Sequence, residues 1–454
     1  MFFRNNINTL DEWARKKDRK PLVLRGARQV GKTTLVKLFA KKYNHFLYYN
    51  LEETKDKNIF KKNVQFSELI DAIFYERNLQ KNFTSTLLFI DEIQNVPNAI
   101  QQLRYFYEET PEFHVIAAGS LLEMVLNENI SFPVGRVSFL KIMPFSFSEF
   151  LLAKEETLNI NLLNNIPIAN YAHEKLTKLF YTYSLIGGMP EIIQQFVESN
   201  DLIQLNSIYE NLIISYLDDV EKYAKNTSER RIIRFLIKNS FAYAGNRIKF
   251  IGFANSNYKS KEVSETFTIL EKTNILKLVY PITQEKPPLI SDFKKMPRLQ
   301  LLDTGLVNYF AGVQQEIFES KNILDVYKGR IAEHIVAQEL DTVFPSLLKN
   351  IHFWVREKRQ SSAEVDFVIP YKNQIIPIEV KSGKSGKLRS LHQFMDQCPH
   401  KYAVRVYNSN FSIIKTKTIS GKSFYLMNLP FYLVHKIKEY LEYFTNEQFT
   451  LNKT

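Results

Sequence analysis

Residues 26–33 read Gly26-Ala27-Arg28-Gln29-Val30-Gly31-Lys32-Thr33, a complete G-x-x-x-x-G-K-T phosphate loop. An apolar strand pattern, Pro21-Leu22-Val23-Leu24, precedes it, and a helical pattern from Thr34 to Ala40 follows. That strand–loop–helix order is the context the motif requires. It fixes a ligand class, a nucleoside triphosphate with Mg²⁺. The glycines let the backbone wrap a phosphate and turn successive N–H groups inward. The helix that follows adds its N-terminal partial charge. The expected nucleotide-binding set is Gly26, Ala27, Arg28, Gln29, Val30, Gly31, Lys32, Thr33 and Thr34. Lys32 reaches the β- and γ-phosphates, and the Thr33 hydroxyl ligates Mg²⁺.

A second pattern supports the first. Leu87-Leu88-Phe89-Ile90-Asp91-Glu92 is an apolar run that ends in two carboxylates. Such a run predicts a buried parallel strand, with both acids at the mouth of the sheet where open α/β sheets bind ligands. Asp91 is expected in the Mg²⁺ shell, as a Walker B aspartate is, and Glu92 as the general base. A solvated strand end is the plainer alternative. His114 to Ser120 predicts another strand, with Ser120 as a sensor of the γ-phosphate or the attacking water. Arg136, after Gly135, is a candidate arginine for the transition-state charge, in cis or from a neighbouring subunit; the alternative is a solvated loop arginine.

The rest of the chain divides by pattern. Residues 1–150 alternate strand and helix, with strands near 22–25, 46–50, 87–91 and 113–118. Ser146 and Glu149 have capping-box spacing. Residues 151–240 read as helical, and the turn and helix start at Gly187-Gly188-Met189-Pro190-Glu191 mark a hinge or corner in a helical domain. Residues 241–300 predict a winged helix: Lys259 to Lys272 is helical with Val263, Phe267 and Leu270 on one face, and the strand Ile275 to Tyr280 follows. Lys259 and Lys261 would start the recognition helix and Lys272 would end it. A winged helix used for protein contacts is the alternative. Net charge is +12, unevenly spread: +4 over residues 1–150, −6 over 151–220, +9 over 221–300 and +5 over 301–454. The concentration in 221–300 is the footprint of a polyanion, most simply nucleic acid; a generically basic protein is the alternative. No run of apolar residues is long enough to span a membrane, and the single Cys398 makes no internal disulfide, so a cytoplasmic protein without a membrane partner is expected.

A second constellation lies near the C-terminus. Ala363 to Pro370 and Gln374 to Ser382 predict adjacent strands of a hairpin joined through Tyr371-Lys372-Asn373. Glu379 and Lys381 share a strand face, and Asp366 can lie opposite them. Two carboxylates suit Mg²⁺, and a lysine can position water against a phosphodiester. Upstream, Glu333 in a helical stretch adds a third acid. This Glu…Asp…Glu-x-Lys order resembles the restriction-endonuclease-like superfamily, whose motif is written PD-(D/E)xK. Val365 stands where that motif has proline, and Gln393 matches a polar position that some members carry. Exposed strand charges are the alternative.

Taken together, the chain resembles a bacterial and archaeal family that pairs an AAA-type P-loop ATPase with a C-terminal nuclease-like domain of unknown function. The resemblance rests on Gly26 to Leu35, Phe89 to Gln94, Ala118-Gly119-Ser120, Gly135-Arg136, Gly187 to Glu191, Leu302-Asp303-Thr304-Gly305-Leu306, Glu364 to Phe367 and Ile378 to Gly383. It implies an α/β multidomain fold: an AAA-like P-loop ATPase core (1–150), a helical lid (151–240), a winged helix (241–300) and a restriction-endonuclease-like α/β domain (301–430). A C-terminal helix and frayed tail (431–454) would complete the chain. The expectation is an Mg²⁺-dependent ATPase that binds DNA and couples nucleotide state to a nuclease-like site built from Asp366, Glu379 and Lys381, with Glu333. An ATP-switched DNA-binding regulator with an inert nuclease fold is one alternative. A chaperone-like or signalling ATPase with a protein partner is another. Homo-oligomers are common among AAA-type ATPases and are expected if Arg136 acts in trans.

Overall fold

The architecture was read from a computed structural model. It describes residues 2–446 except 62–63, 120–121, 123–131, 223, 313–328, 349–350, 357–362 and 383–387, and the side chain of Arg330. The chain divides into two compact units: residues 1–143 with 272–274, and residues 144–271 with 275–454.

The first unit is built on a five-stranded sheet. Its strands are β1 (Leu22–Arg25), β2 (His45–Asn50), β3 (Thr86–Asp91), β4 (His114–Ala118) and β5 (Ser138–Lys141). All pairings are parallel, in the order β2-β3-β4-β1-β5. A parallel sheet needs helices on both faces, so its strands read as continuous apolar runs. β3 is buried at every position. Leu88 and Ile90 of β3 pack with Val115, and with Ile70, Ile73, Leu103 and Phe106 from helices Phe66–Glu76 and Pro97–Glu108. β4 lies between β1 and β3, so the strand before the phosphate loop and the strand ending in Asp91 are not neighbours.

The second unit begins with a helical region. Helix Phe147–Ala153 starts with a complete capping box between Ser146 and Glu149, and helix Pro190–Ser199 carries Pro190 in its first turn. Helix Ser260–Lys272 buries Val263, Phe267 and Leu270. Two antiparallel strands follow, β6 (Leu276–Val279) and β7 (Arg298–Leu301). Helix Gly329–Val343 leads into a six-stranded mixed sheet. Its strands are β8 (His352–Val355), β9 (Glu364–Tyr371), β10 (Gln374–Lys381), β11 (Tyr402–Tyr407), β12 (Ser412–Lys417) and β13 (Ser423–Leu429). They run in the order β12-β13-β11-β10-β9-β8. Lys372 and Asn373 link β9 to β10 with φ of 44° and 59°, both left-handed, as a two-residue hairpin requires. Trp354, Val365, Val368, Ile375 and Phe394 form the core beneath the hairpin.

A buried polar joint ties this unit together. Asp303 caps helix Thr304–Phe310 through Leu306 N, at 3.2 Å. It also accepts from Gly188 N at 2.6 Å. Gly187 has φ of 76° and lies so close to the Asp303 carboxylate that a Cβ there would strike it. Burial pushes the Asp303 carboxyl up to about 6, against the pull of the backbone amides that bond it. The Gly187-Gly188 turn and the Asp303-Thr304-Gly305 turn are thus two halves of one contact.

Candidate active sites

The phosphate loop hangs from the C-terminal end of β1. Gly26 has φ of 147°, and a Cβ there would strike the Ile142 carbonyl, so the close approach of these two backbones admits only glycine. Helix Lys32–Ala40 begins directly after Gly31. Its first N–H groups have no partner within the helix and face the loop. Lys32 is buried, and its Nζ donates to Gly26 O at 3.0 Å and Ala27 O at 2.8 Å. Arg28 is half-buried, while Gln29 and Thr34 are exposed.

Thr33 Oγ1 donates to Asp91 Oδ2 at 2.7 Å, joining two residues 58 apart in sequence. Both are hard oxygen donors, the kind Mg²⁺ takes. Burial raises the Asp91 carboxyl, the Thr33 bond lowers it and the charge of Glu92 raises it. A cation at this point would relieve that cost. Glu92 has left-handed φ and ψ of 50° and 45°, a strained conformation for a non-glycine residue. Gln94 Nε2 donates to Glu92 Oε2 at 2.5 Å and holds the carboxylate.

Arg136 sits on the exposed surface, with Nε 3.1 Å from Glu108 Oε1, and Arg104 shares that glutamate. Among the described residues, no hydrogen bond or ion pair joins Arg136 to the phosphate loop. Ser120 lies outside the described residues. One residue that sequence reasoning missed is Arg4. It is 3 % exposed and donates to Val30 O at 2.9 Å and Met143 O at 2.8 Å, bracing the loop from behind.

In the second unit, β9 and β10 bring Asp366, Glu379 and Lys381 together. Asp366 Oδ2 accepts from Val380 N at 2.8 Å. Lys381 Nζ bonds Glu379 Oε1 at 2.6 Å. The other Glu379 oxygen is buried with no hydrogen-bond partner among the described residues. Burial, then the charge of Asp366, pushes the Glu379 carboxyl well up. Glu333 is raised for the same two reasons in the same order. Burial raises Asp366 as well, with Arg298 opposing.

The expected third acid is placed differently. Glu333 Oε2 stands 3.7 Å from the guanidinium of Arg298, a buried residue of β7. Among the described residues no three His, Cys, Asp or Glu side chains form a group that could hold a metal. Glu333, Asp366 and Glu379 therefore share an electrostatic neighbourhood but are not assembled as a three-ligand set; Arg298 draws Glu333 aside. Gln393 accepts from Arg356 Nη1 at 3.2 Å. Sequence reasoning also missed Glu364, which pairs with Arg298 and lies 3.4 Å from Arg247. Its position two residues before Asp366 on one strand was the available signal.

Three cations of the basic segment 221–300 are drawn into ion pairs of the second unit. Arg298 and Arg247 pair with Glu364, and Lys277 pairs with Asp341 at 2.5 Å. Most of the segment's other cations are exposed, Arg230, Arg231, Lys238, Lys259 and Lys261 among them.

Three family models match separate parts of the chain. Residues 18–151 match an AAA domain. Residues 177–317 match a domain of unknown function, DUF8612, and residues 328–432 match another, DUF4143. No curated protein matches the chain. Among solved structures, the Thermotoga maritima RuvB Holliday junction branch migration motor aligns at 16% identity over 64% of this chain and 93% of its own, with a TM-score of 0.27. The Pif1 helicase from Candida albicans aligns at 13% over 39% of this chain and 48% of its own, with a TM-score of 0.21. The S. cerevisiae Hsp104-ADP complex aligns at 14% over 60% of this chain and 38% of its own, with a TM-score of 0.25. The AAA match and the parallel sheet agree on a nucleotide-dependent ATPase domain of the AAA type at residues 18–151. No helix among the described residues is long and apolar enough to cross a membrane.

Proposed function

We propose that the chain is an Mg²⁺-dependent ATPase that binds DNA and couples its nucleotide state to a nuclease-like site in the C-terminal segment. The observation that carries the ATPase part is the Thr33–Asp91 hydrogen bond at the mouth of the sheet. That contact supports reading the threonine of the phosphate loop and the aspartate of β3 as a pair that one Mg²⁺ would take. Lys32 leaves the loop carbonyls for the phosphates when nucleotide enters. Glu92, steadied by Gln94, accepts the proton of the attacking water. Mg²⁺ supplies charge neutralisation on the phosphate oxygens. Arg136 is available to a neighbouring copy in a homo-oligomer.

The DNA-binding part rests on the helix–ribbon order at 260–301, which suits a winged helix, and on the exposed cations of helix Thr227–Ser240 and around Lys259. In the nuclease-like site, Asp366 and the unpartnered oxygen of Glu379 would hold Mg²⁺, and Lys381 would orient water against a phosphodiester. A second reading, an ATP-switched DNA-binding regulator with an inert nuclease fold, is favoured by the ion pair that diverts Glu333 to Arg298.

The test incubates supercoiled plasmid and Mg²⁺ with wild type or Lys381→Ala, each with and without ATP. Cleavage by wild type alone supports the first reading, and its dependence on ATP reports coupling. Salt-sensitive DNA binding without cleavage in any sample supports the second. DNA affinity that ignores salt would sink both.

A further inference from the structure

Arg298 comes from β7, in the segment that ends at residue 317, yet it reaches into a cluster of acids contributed by residues 328–432. Its Nη1 donates to the Asp366 carbonyl at 2.9 Å, its Nη2 pairs with a Glu364 oxygen, and Glu333 Oε2 lies 3.7 Å away. Phe353 and Phe367 flank the guanidinium, with ring centroids at 4.6 and 5.7 Å. The side chain is 6% exposed. A guanidinium does not lose its proton in a protein, so this charge is permanent. Its field also reaches Asp366 and Glu379.

We propose that Arg298 is a built-in rival of a divalent cation in this cluster, taking the oxygens of Glu333 and Glu364 that a metal would otherwise use. The inference rests on reading Asp366, Glu379 and Lys381 as a nuclease-like site. Two effects act together. The ion pairs withdraw ligands, which leaves Asp366 and Glu379 as the remaining acids. The fixed positive charge also repels an incoming cation across a poorly solvated site. Arg298 therefore sets the metal affinity of the cluster and keeps it low. Because β7 lies outside the C-terminal segment, the level is set by a neighbouring part of the chain.

The test measures Mn²⁺ binding to the full chain by the electron paramagnetic resonance signal of the free ion, without nucleotide or DNA. Wild type, Arg298→Met and Arg298→Lys are compared, each with and without Glu379→Gln. The Glu379-dependent site is expected to tighten about tenfold in Arg298→Met, because one fixed like charge and two blocked ligands are gone. Arg298→Lys falls between the two, since one ammonium cannot hold Glu333, Glu364 and the Asp366 carbonyl at once. Affinity in Arg298→Met no tighter than in wild type overturns the proposal. If circular dichroism shows Arg298→Met unfolded, Arg298→Lys decides, and affinity equal to wild type overturns it. Plasmid cleavage plays no part in the readout. The expected metal ranking with no cleavage in any variant would retire the nuclease reading and leave the role of Arg298 standing.

Discussion

Glu339 should behave as a neutral acid, and its replacement by glutamine should remove a pH dependence rather than stability. The residue is fully buried on helix Gly329–Val343. Phe147 N donates to its two oxygens at 3.1 and 3.3 Å. Tyr183 Oη lies 2.6 Å from its Oε1 and also 2.7 Å from the Phe145 carbonyl. One hydroxyl proton cannot serve both acceptors. A protonated Glu339 resolves the conflict by donating to Tyr183, which then donates to Phe145. Burial agrees, pushing the carboxyl from 4.5 up to about 8 against the opposing Tyr183 and Phe147 bonds. Between those two values the folded chain keeps a proton that the unfolded chain releases. Stability therefore falls as pH rises through that window, by about 2–3 kcal/mol from pH 6 to pH 8. Below 4.5 and above 8 this group adds no slope. Glu339→Gln keeps an acceptor for Phe147 N and a donor for Tyr183, and cannot ionise. It should match the parent within about 1 kcal/mol at pH 6 and exceed it by about 2–3 kcal/mol at pH 8. Urea unfolding followed by Trp354 fluorescence reads this directly in a Trp13→Phe background, since the chain has only these two tryptophans. Parallel stability curves for parent and variant from pH 6 to pH 8 would refute the reasoning.

Two further outcomes concern the N-terminal unit. Glu92→Gln should bind a fluorescent ATP analogue normally and hydrolyse ATP about 10²–10⁴-fold more slowly; undiminished turnover would remove Glu92 from the base role. Arg4→Met should leave the Val30 and Met143 carbonyls without their charged donor, costing about 2–4 kcal/mol of stability and weakening ATP binding. An unchanged melting temperature and KM would mean that Arg4 is no brace.

What could be read from sequence was local. The phosphate loop, the strands β1 to β4, the capping box at Ser146 and Glu149, and the β9–β10 hairpin are each declared within about ten residues, by apolar runs, glycines and turn chemistry. What could not be read was pairing at long range. Arg4 meets Met143 across 139 positions, and Arg298 meets Glu364 across 66. No periodicity announces such partners. Net charge likewise does not distinguish a lysine on the surface from Lys277 bonded to Asp341. Glu333 was legible as an acid on a helix but not as the partner of a guanidinium from another segment.

The placement of Arg298 and Asp303 also bears on how such a chain can be inherited. Residues 177–317 and 328–432 are recognised as separate families, yet the acids of the second meet cations and turns of the first. Gln338 bonds Thr304 N at 2.8 Å, and Lys277 bonds Asp341. A recombination that swapped residues 328–432 for those of an unrelated chain would strand the buried Arg298 and the half-buried Lys277 without their counter-charges, at several kcal/mol for each one stranded. The two segments are thus bound to travel as a single heritable unit, with the seam between their families falling where the chemistry has none.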